Sequence, residues 1–184
     1  MAKQTIRKTP TSISLYGDAK MVLQNMWNHS GGTYDLQEQI IDLIFRKKYA
    51  FQNTNIEIVK LKTVTLNLYY STYIRATTKL ATGIHQIQNL DARLQNGDIT
   101  LVDDIAKVTI SGKNKYFYSF ASKYCSHHNP TAYPIYDSYV EKVLKHFRKV
   151  KPNFNFNNYD LKQYDDFKNI LIDFKKLYGI EEYN

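Results

Sequence analysis

The sequence predicts an all-α protein. Apolar residues recur at helical spacing in several separate segments, and clusters of Pro, Gly and Asn end these segments. The 184 residues are enough for one domain with a real core, or at most for two small ones. We expect an extended basic arm over residues 1–14 and a single helical domain over residues 15–184. No internal repeat or low-complexity tract interrupts it.

The first elements are predicted to be two helices joined at a glycine pair. Asp18 is placed to cap a helix that contains Met21, Met26 and Trp27, and this helix ends at Gly31-Gly32. Thr33 is placed to cap the next helix. Its apolar face is formed by Leu36, Ile40, Leu43 and Ile44. The cationic residues 46–48 then fall in its last turn, where positive charge interacts favourably with the helix dipole. The alternative role of these residues is a contact with phosphate.

Residues 56–74 fit two kinds of secondary structure. Ile56, Val59 and Thr63 follow a helical period, whereas Val64, Leu66 and Leu68 alternate as in a strand. The stretch is long for one strand and contains no turn signal. Further on, the sequence predicts a helix over residues 75–94, a turn at 96–98, a short helix over 102–106 and a Gly-containing hairpin over 110–115.

The most informative segment runs from Phe117 to Val140. Its first half predicts a helix, with the apolar positions Phe117, Phe120, Ala121, Tyr124 and Cys125. Pro130 and Pro134 then hold an extended turn. Asp137 follows the turn and precedes a second amphipathic helix that reaches about Phe147. Asp137 is therefore in the position of the N-cap of this helix. A last helix is predicted over residues 164–178 and ends at Gly179.

The composition indicates the class of binding partner and the cellular compartment. The net charge of +8 favours a polyanionic partner, of which nucleic acid is the commonest. Cys125 is the only cysteine, so an internal disulfide and a cysteine-built zinc site are excluded, and we expect no cofactor and no metal. This cysteine content fits a reducing, cytoplasmic location. No apolar run approaches the length of a membrane span, so we expect no membrane partner.

The order of hairpin, helix, proline loop and acid at residues 105–148 resembles the helix-hairpin-helix DNA glycosylases, the superfamily of endonuclease III and 8-oxoguanine DNA glycosylase. The sequence is most similar to a small bacterial branch with an 8-oxoguanine-glycosylase-like fold. The segments that carry the resemblance are Ser-Phe-Ala-Ser-Lys-Tyr at 119–124, Tyr-Pro-Ile-Tyr-Asp-Ser at 133–138, and residues 66–72 and 94–98. It covers roughly residues 55–148, and it implies that residues 56–74 are helical.

The resemblance implies that the hairpin binds DNA phosphate. Gly112 would let backbone N–H groups approach an anion, Lys113, Asn114 and Lys115 would surround it, and His128 is a further candidate. The superfamily pattern has two glycines in this hairpin, whereas this sequence has one. A plain surface turn is the alternative interpretation of the hairpin.

For catalysis, the resemblance implies that Asp137 is the anion that stabilises a developing sugar cation. Bifunctional members also use a lysine as an amine nucleophile. Lys115 is the first choice because it lies closest to that lysine in the pattern, and Lys123 is the competitor. A capping role for Asp137 and a core-packing role for the stem of Lys123 remain the alternatives.

Three aromatic residues are candidates for a base pocket: Phe117, Tyr133 and Tyr136. Each also suits the protein core. The expected function is thus a DNA N-glycosylase acting on a damaged or modified base such as 8-oxoguanine, with abasic-site lyase activity as an additional expectation, and the expected state is a monomer. The alternatives are a non-catalytic nucleic-acid-binding or interaction module with the same fold, and a defence effector that acts on foreign modified DNA.

Overall fold

The computed structural model describes residues 33–181, and it is mainly helical in this range. The helices are α1 (Thr33–Asp42), α2 (Ile56–Tyr69), α3 (Thr77–His85), α4 (Leu90–Asn96), α5 (Thr100–Ala106), α6 (Tyr118–His128), α7 (Ser138–Val150) and α8 (Tyr164–Tyr178). A π-helical turn, Leu43–Lys47, extends α1, and a 3-10 turn, Asp160–Lys162, precedes α8. The predicted helical class is confirmed. The expected arm and the helix expected after Asp18 lie outside the described residues.

The strands β1 (Lys107–Ile110) and β2 (Lys113–Tyr116) form an antiparallel hairpin, the single sheet found within residues 33–181. Ser111 and Gly112 form its two-residue loop, with φ angles of 52° and 74°. Positive φ at both positions is the geometry of a type I′ turn, whose twist matches the strands that it joins. The hairpin expected at 110–115 is therefore present as a β-hairpin that begins three residues earlier.

α2 settles the ambiguous stretch as a helix. Asn55 caps it by accepting a hydrogen bond from the Glu57 N–H at 2.9 Å. Residues 70–74 leave the helix, and Ser71 and Tyr73 have positive φ angles. The prediction of a helix over 56–74 is confirmed up to Tyr69 and is wrong for the last five residues.

The single helix expected over 75–94 is wrong, because it is divided into α3 and α4. Asn89 adopts a left-handed conformation with φ 54° between the two helices. The break allows both Ile84 and Leu90 to be buried. Gly97 then ends α4 with φ 70°, and a Cβ at this position would lie 2.8 Å from the Ala132 Cβ, so the close approach of the proline loop requires glycine here.

α6 is the central helix of the core. All of its residues except Ser119 are buried, and it packs against α2, α4, α5 and the π-helical turn. The hairpin runs directly into its N-terminus, and the proline loop leaves its C-terminus and leads to α7. This connectivity brings the start of α7 back beside the first turns of α6.

Candidate active site

Asp137 caps α7. Its Oδ1 accepts hydrogen bonds from the backbone N–H groups of Tyr139 and Val140, both at 2.9 Å. One oxygen is thus used for the helix N-terminus, and the other, Oδ2, is directed toward Lys123. The side chain of Asp137 is 31% exposed, so the carboxylate is not sealed in the core. Asp137 thus caps α7 with one carboxylate oxygen and faces Lys123 with the other.

Lys123 lies on α6 beside this carboxylate. Its Nζ is 4.0 Å from Asp137 Oδ2, donates a hydrogen bond to Ser119 Oγ at 2.7 Å and approaches the Tyr136 carbonyl at 3.5 Å. The Lys123 side chain is only 6% exposed. Burial lowers the pKa of Lys123, and the attraction of Asp137 opposes that shift. A buried amine with a lowered pKa, in contact with a carboxylate, is suited to nucleophilic chemistry.

Both side chains open into a cleft of about 920 Å³. The cleft is bounded by the end of α2, the start of α6, the proline loop and the start of α7. Its walls are rich in aromatic rings, which are those of Tyr69, Tyr70, Tyr116, Phe117, Tyr118, Phe120, Tyr136 and Tyr139. Aromatic walls around a few polar groups are typical of sites for a flat, heterocyclic ligand.

A charged cluster lies along the same cleft. Glu141 of α7 accepts hydrogen bonds from Lys145, from Tyr136 and, at 2.7 Å, from Lys162. Burial alone would raise the pKa of Glu141, but these donors lower it to about 2. The sequence did not suggest this cluster, because Lys162 is 21 positions from Glu141 in the chain. Their contact depends on how the chain packs before α8. The i, i+4 spacing of Glu141 and Lys145 was the one signal available.

The candidate phosphate-binding residues of the hairpin, 112–115, are not among those that line the cleft of Asp137. Lys115 is on β2, opposite Val108, and lines a separate groove with Lys107, Thr109 and Asn114. Lys115 is thus on a strand and Lys123 is on α6, so the two lysines do not share a helix face. Lys113, Gly112 and Lys115 are all exposed, as is Asn114, whose side chain accepts a hydrogen bond from Thr109.

Two of the expected ligand contacts are buried in the core. Tyr133 is fully buried, and its hydroxyl donates to the carbonyl oxygens of Arg93 and Asp98, both at 3.0 Å. His128 is 6% exposed and packs against the rings of Phe45 and Tyr124. We therefore remove Tyr133 from the candidate base pocket and His128 from the candidate DNA contacts. Phe117 and Tyr136 do line the cleft.

The comparisons with known proteins place the chain in a family. A family model described as HI_0787_N, an N-terminal domain, matches residues 19–132. The chain belongs to this family. The match includes the hairpin and α6 with Lys123, and it ends five residues before Asp137.

An uncharacterized protein of Haemophilus influenzae is similar to this chain, with 53% identity over 128 residues. The similar region is 70% of this chain and 64% of that protein, so the chain spans less than two thirds of the relative's length. No solved structure matches the chain. Within the described part of the chain, no helix is long and apolar enough to span a bilayer.

Proposed function

We propose that this protein is a DNA N-glycosylase with abasic-site lyase activity, and that the aromatic cleft is its active site. The observation that carries the proposal is the pairing of Lys123 Nζ with Asp137 Oδ2 at 4.0 Å inside that cleft. A carboxylate and a buried amine are the two groups that breaking a glycosidic bond by amine attack requires.

The proposed roles follow from the positions of the two groups. Asp137 stabilises the positive charge that develops on the sugar as the bond from C1′ to the base breaks. The deprotonated Lys123 amine forms a bond to C1′ as the bond from C1′ to the base breaks, and the base leaves with the bonding electrons and takes up the proton that the lysine nitrogen releases. The nitrogen lone pair then forms a double bond to C1′ as the bond from C1′ to O4′ breaks, and O4′ takes up a proton from water, which gives a protonated imine. Removal of a C2′ proton then expels the 3′ phosphate with the electrons of its C–O bond. Burial supports this role because it favours the neutral amine.

The cleft also suits an extruded base. A base that leaves the stack needs flat apolar surfaces to replace its neighbours. Tyr116 and Tyr139 offer such surfaces, because both line the cleft and are 45% and 75% exposed, whereas Tyr118 and Tyr136 are buried with their ring centroids 4.4 Å apart. Tyr116 also lines the groove of the hairpin. Phosphate contacts by the hairpin lysines would thus lie next to the cleft.

Trapping with sodium borohydride tests the proposal. The substrates are a duplex with one abasic site and a duplex with one 8-oxoguanine. Wild-type protein should form a covalent adduct on the abasic duplex. Lys123→Gln should abolish the adduct, and Lys115→Gln should retain it because Lys115 lies outside the cleft.

The opposite pattern would assign the nucleophile to Lys115 and overturn our choice of lysine. If the wild-type protein binds DNA without forming an adduct or releasing a base, the protein is a non-catalytic binding module and the proposed activity is wrong. Circular dichroism of each variant shows whether a loss of trapping reflects a loss of fold.

A further inference from the structure

α6 carries a row of polar side chains along one of its faces. Ser119, Lys123 and His127 are spaced four residues apart, so they lie one above the other on one face. Lys123 and His127 are both buried. A buried polar row is unfavourable unless its members have partners. The contacts of Lys123 and His127 therefore indicate the role of this row.

Tyr70 lies across this row. Lys123 Nζ is 5.2 Å from the centre of the Tyr70 ring, within the range of a cation–π contact. The Tyr70 hydroxyl and His127 Nε2 are 2.8 Å apart, and the two rings are tilted by 36° with centroids 5.6 Å apart. One aromatic side chain thus contacts the amine with its face and the histidine with its hydroxyl.

The protonation of His127 fits this arrangement. Burial lowers the pKa of His127 to about 4, and the positive charges of Arg46 and Lys123 lower it as well. The imidazole is therefore neutral at neutral pH, and with the proton on Nδ1 its Nε2 accepts a hydrogen bond from the Tyr70 hydroxyl. A hydrogen bond at the hydroxyl restricts rotation of the Tyr70 ring, which keeps the ring face under the amine.

Tyr70 also lies between two clefts. It lines the cleft that contains Lys123 and Asp137, and it lines a second cleft of about 620 Å³ that contains His127, Pro130 and Pro134. The ring is thus shared by the two clefts.

We propose that Tyr70 and His127 are positioning residues for Lys123, with the Tyr70 ring holding the amine beside Asp137 and His127 holding the ring. This assignment rests on the proposed role of Lys123. Tyr70 acts through the lysine and is not assigned a contact with the reacting atoms. The charged groups along the cleft of the lysine are Asp137, Glu141 and Lys162, and the titratable tyrosines that line it besides Tyr70 are Tyr69, Tyr116, Tyr118, Tyr136 and Tyr139. His127 lies one turn further along α6, and Arg46 lines the second cleft with it.

The test follows the lysine itself and needs no catalytic activity. Protein labelled with ¹³C at the lysine ε carbons is titrated by NMR, and the Lys123 signal is assigned by its loss in Lys123→Gln. Tyr70→Leu should move the titration midpoint of Lys123 to lower pH by about half to one and a half units, because a cation–π contact stabilises the ammonium form. Tyr70→Phe keeps the ring face but loses the hydrogen bond to His127, so its midpoint should move in the same direction by a smaller amount.

His127→Leu should move the midpoint in the same direction as Tyr70→Leu, by a smaller amount. An unchanged midpoint in both Tyr70→Leu and His127→Leu would overturn the proposal. Tyr70→Met replaces Tyr70→Leu if the leucine variant does not fold, with the same expectation. If wild-type protein fails to trap abasic DNA while these shifts appear, the activity is wrong and the positioning inference stands. Trapping without the shifts would support the activity and overturn the positioning inference.

Discussion

Asp137 combines a capping role with a proposed catalytic role, and substitution can separate the two. Asn is as good an N-cap as Asp, whereas Ala loses the cap. Asp137→Asn should therefore change the free energy of unfolding by only a few tenths of a kcal/mol, and Asp137→Ala should lower it by about 1 kcal/mol. Both variants should lose base release, because neither has the anion.

Denaturant unfolding of the three proteins, together with a base-release assay on duplex DNA, checks this prediction. Thr78→Ala, at an exposed position in the first turn of another helix whose N-cap is Ala76, serves as a control for a change outside the cleft. Base release by Asp137→Asn at the wild-type rate would leave Asp137 as a structural cap alone.

Lys62 is a fully buried lysine outside the cleft. Its Nζ donates to the Ala50 carbonyl at 2.7 Å and to Asn53 Oδ1 at 2.9 Å. Burial lowers its pKa to about 7, and the attraction of Asp91 opposes the shift. In the unfolded chain the lysine has its ordinary pKa near 10.5. Between pH 7 and 10.5 the unfolded state therefore binds more protons, so this residue makes the protein more stable as pH rises.

We expect the unfolding free energy of wild type to rise relative to that of Lys62→Met by a few kcal/mol from pH 7 to pH 10. Urea unfolding at several pH values measures it. Lys60→Met is the matched control, because Lys60 lies on the same helix and pairs with Glu57 at 2.9 Å near the surface. A difference for Lys62→Met that is independent of pH would show that the buried lysine keeps its proton throughout this range.

At the scale of elements, the C-terminal end of α6 contributes to stability in a way that depends on pH. Burial lowers the pKa of His127 to about 4 and that of His128 well below its ordinary value. The unfolded chain takes up these protons near pH 6.5, so the stability that the two neutral histidines contribute is complete above pH 6.5 and is lost as pH falls toward 4. Acid should thus destabilise the protein through this helix.

His127→Gln should reduce the loss of unfolding free energy between pH 6.5 and pH 4 by about 3 kcal/mol. Thermal or urea unfolding across this range measures the change relative to wild type. His146→Gln removes an exposed histidine on α7 and should leave the pH profile unchanged. The same loss of stability in wild type and His127→Gln would contradict the buried neutral state of His127.

α2 illustrates what the sequence alone could not decide. Val64 and Leu68, which suggested an alternating strand, are 50% and 69% exposed, whereas Lys62 and Thr63 are buried. Local hydrophobicity is therefore misleading in this segment. The polar residues are buried because Ala50 and Asn53 supply acceptors for Lys62, and the Val59 carbonyl accepts from Thr63. The pattern fitted both structures, and the resemblance decided in favour of a helix.

The sequence predicted some residues of the cleft better than others. The position of Asp137 at the start of α7 follows from local signals, namely two prolines followed by an acid and an amphipathic helix. The choice between Lys115 and Lys123 depended on where the hairpin ends and α6 begins, which periodicity does not define. The contact of Tyr70 with His127 joins residues that are 57 positions apart, so no local pattern contained it.

At the scale of the whole molecule, the net charge of +8 and the exposed hairpin lysines predict how DNA binding should depend on salt. A protein that neutralises phosphates releases counterions, so the logarithm of its affinity falls linearly with the logarithm of salt concentration, with a slope of about −0.9 for each phosphate contact. Lys113 and Lys115 have no ion-pair partner among residues 33–181, so both are available for phosphate.

Fluorescence anisotropy on a labelled duplex between 50 and 200 mM salt, roughly the range over which such contacts are weakened, measures this slope. Lys113→Gln and Lys115→Gln should each make it shallower by about 0.9, and the double variant by about twice that. Lys176→Gln removes an exposed lysine in the last turn of α8, outside the hairpin and the cleft, and should lower the affinity little without changing the slope. Equal effects of all three single substitutions would mean that DNA responds to the net charge alone, and the hairpin would then have no specific part in binding.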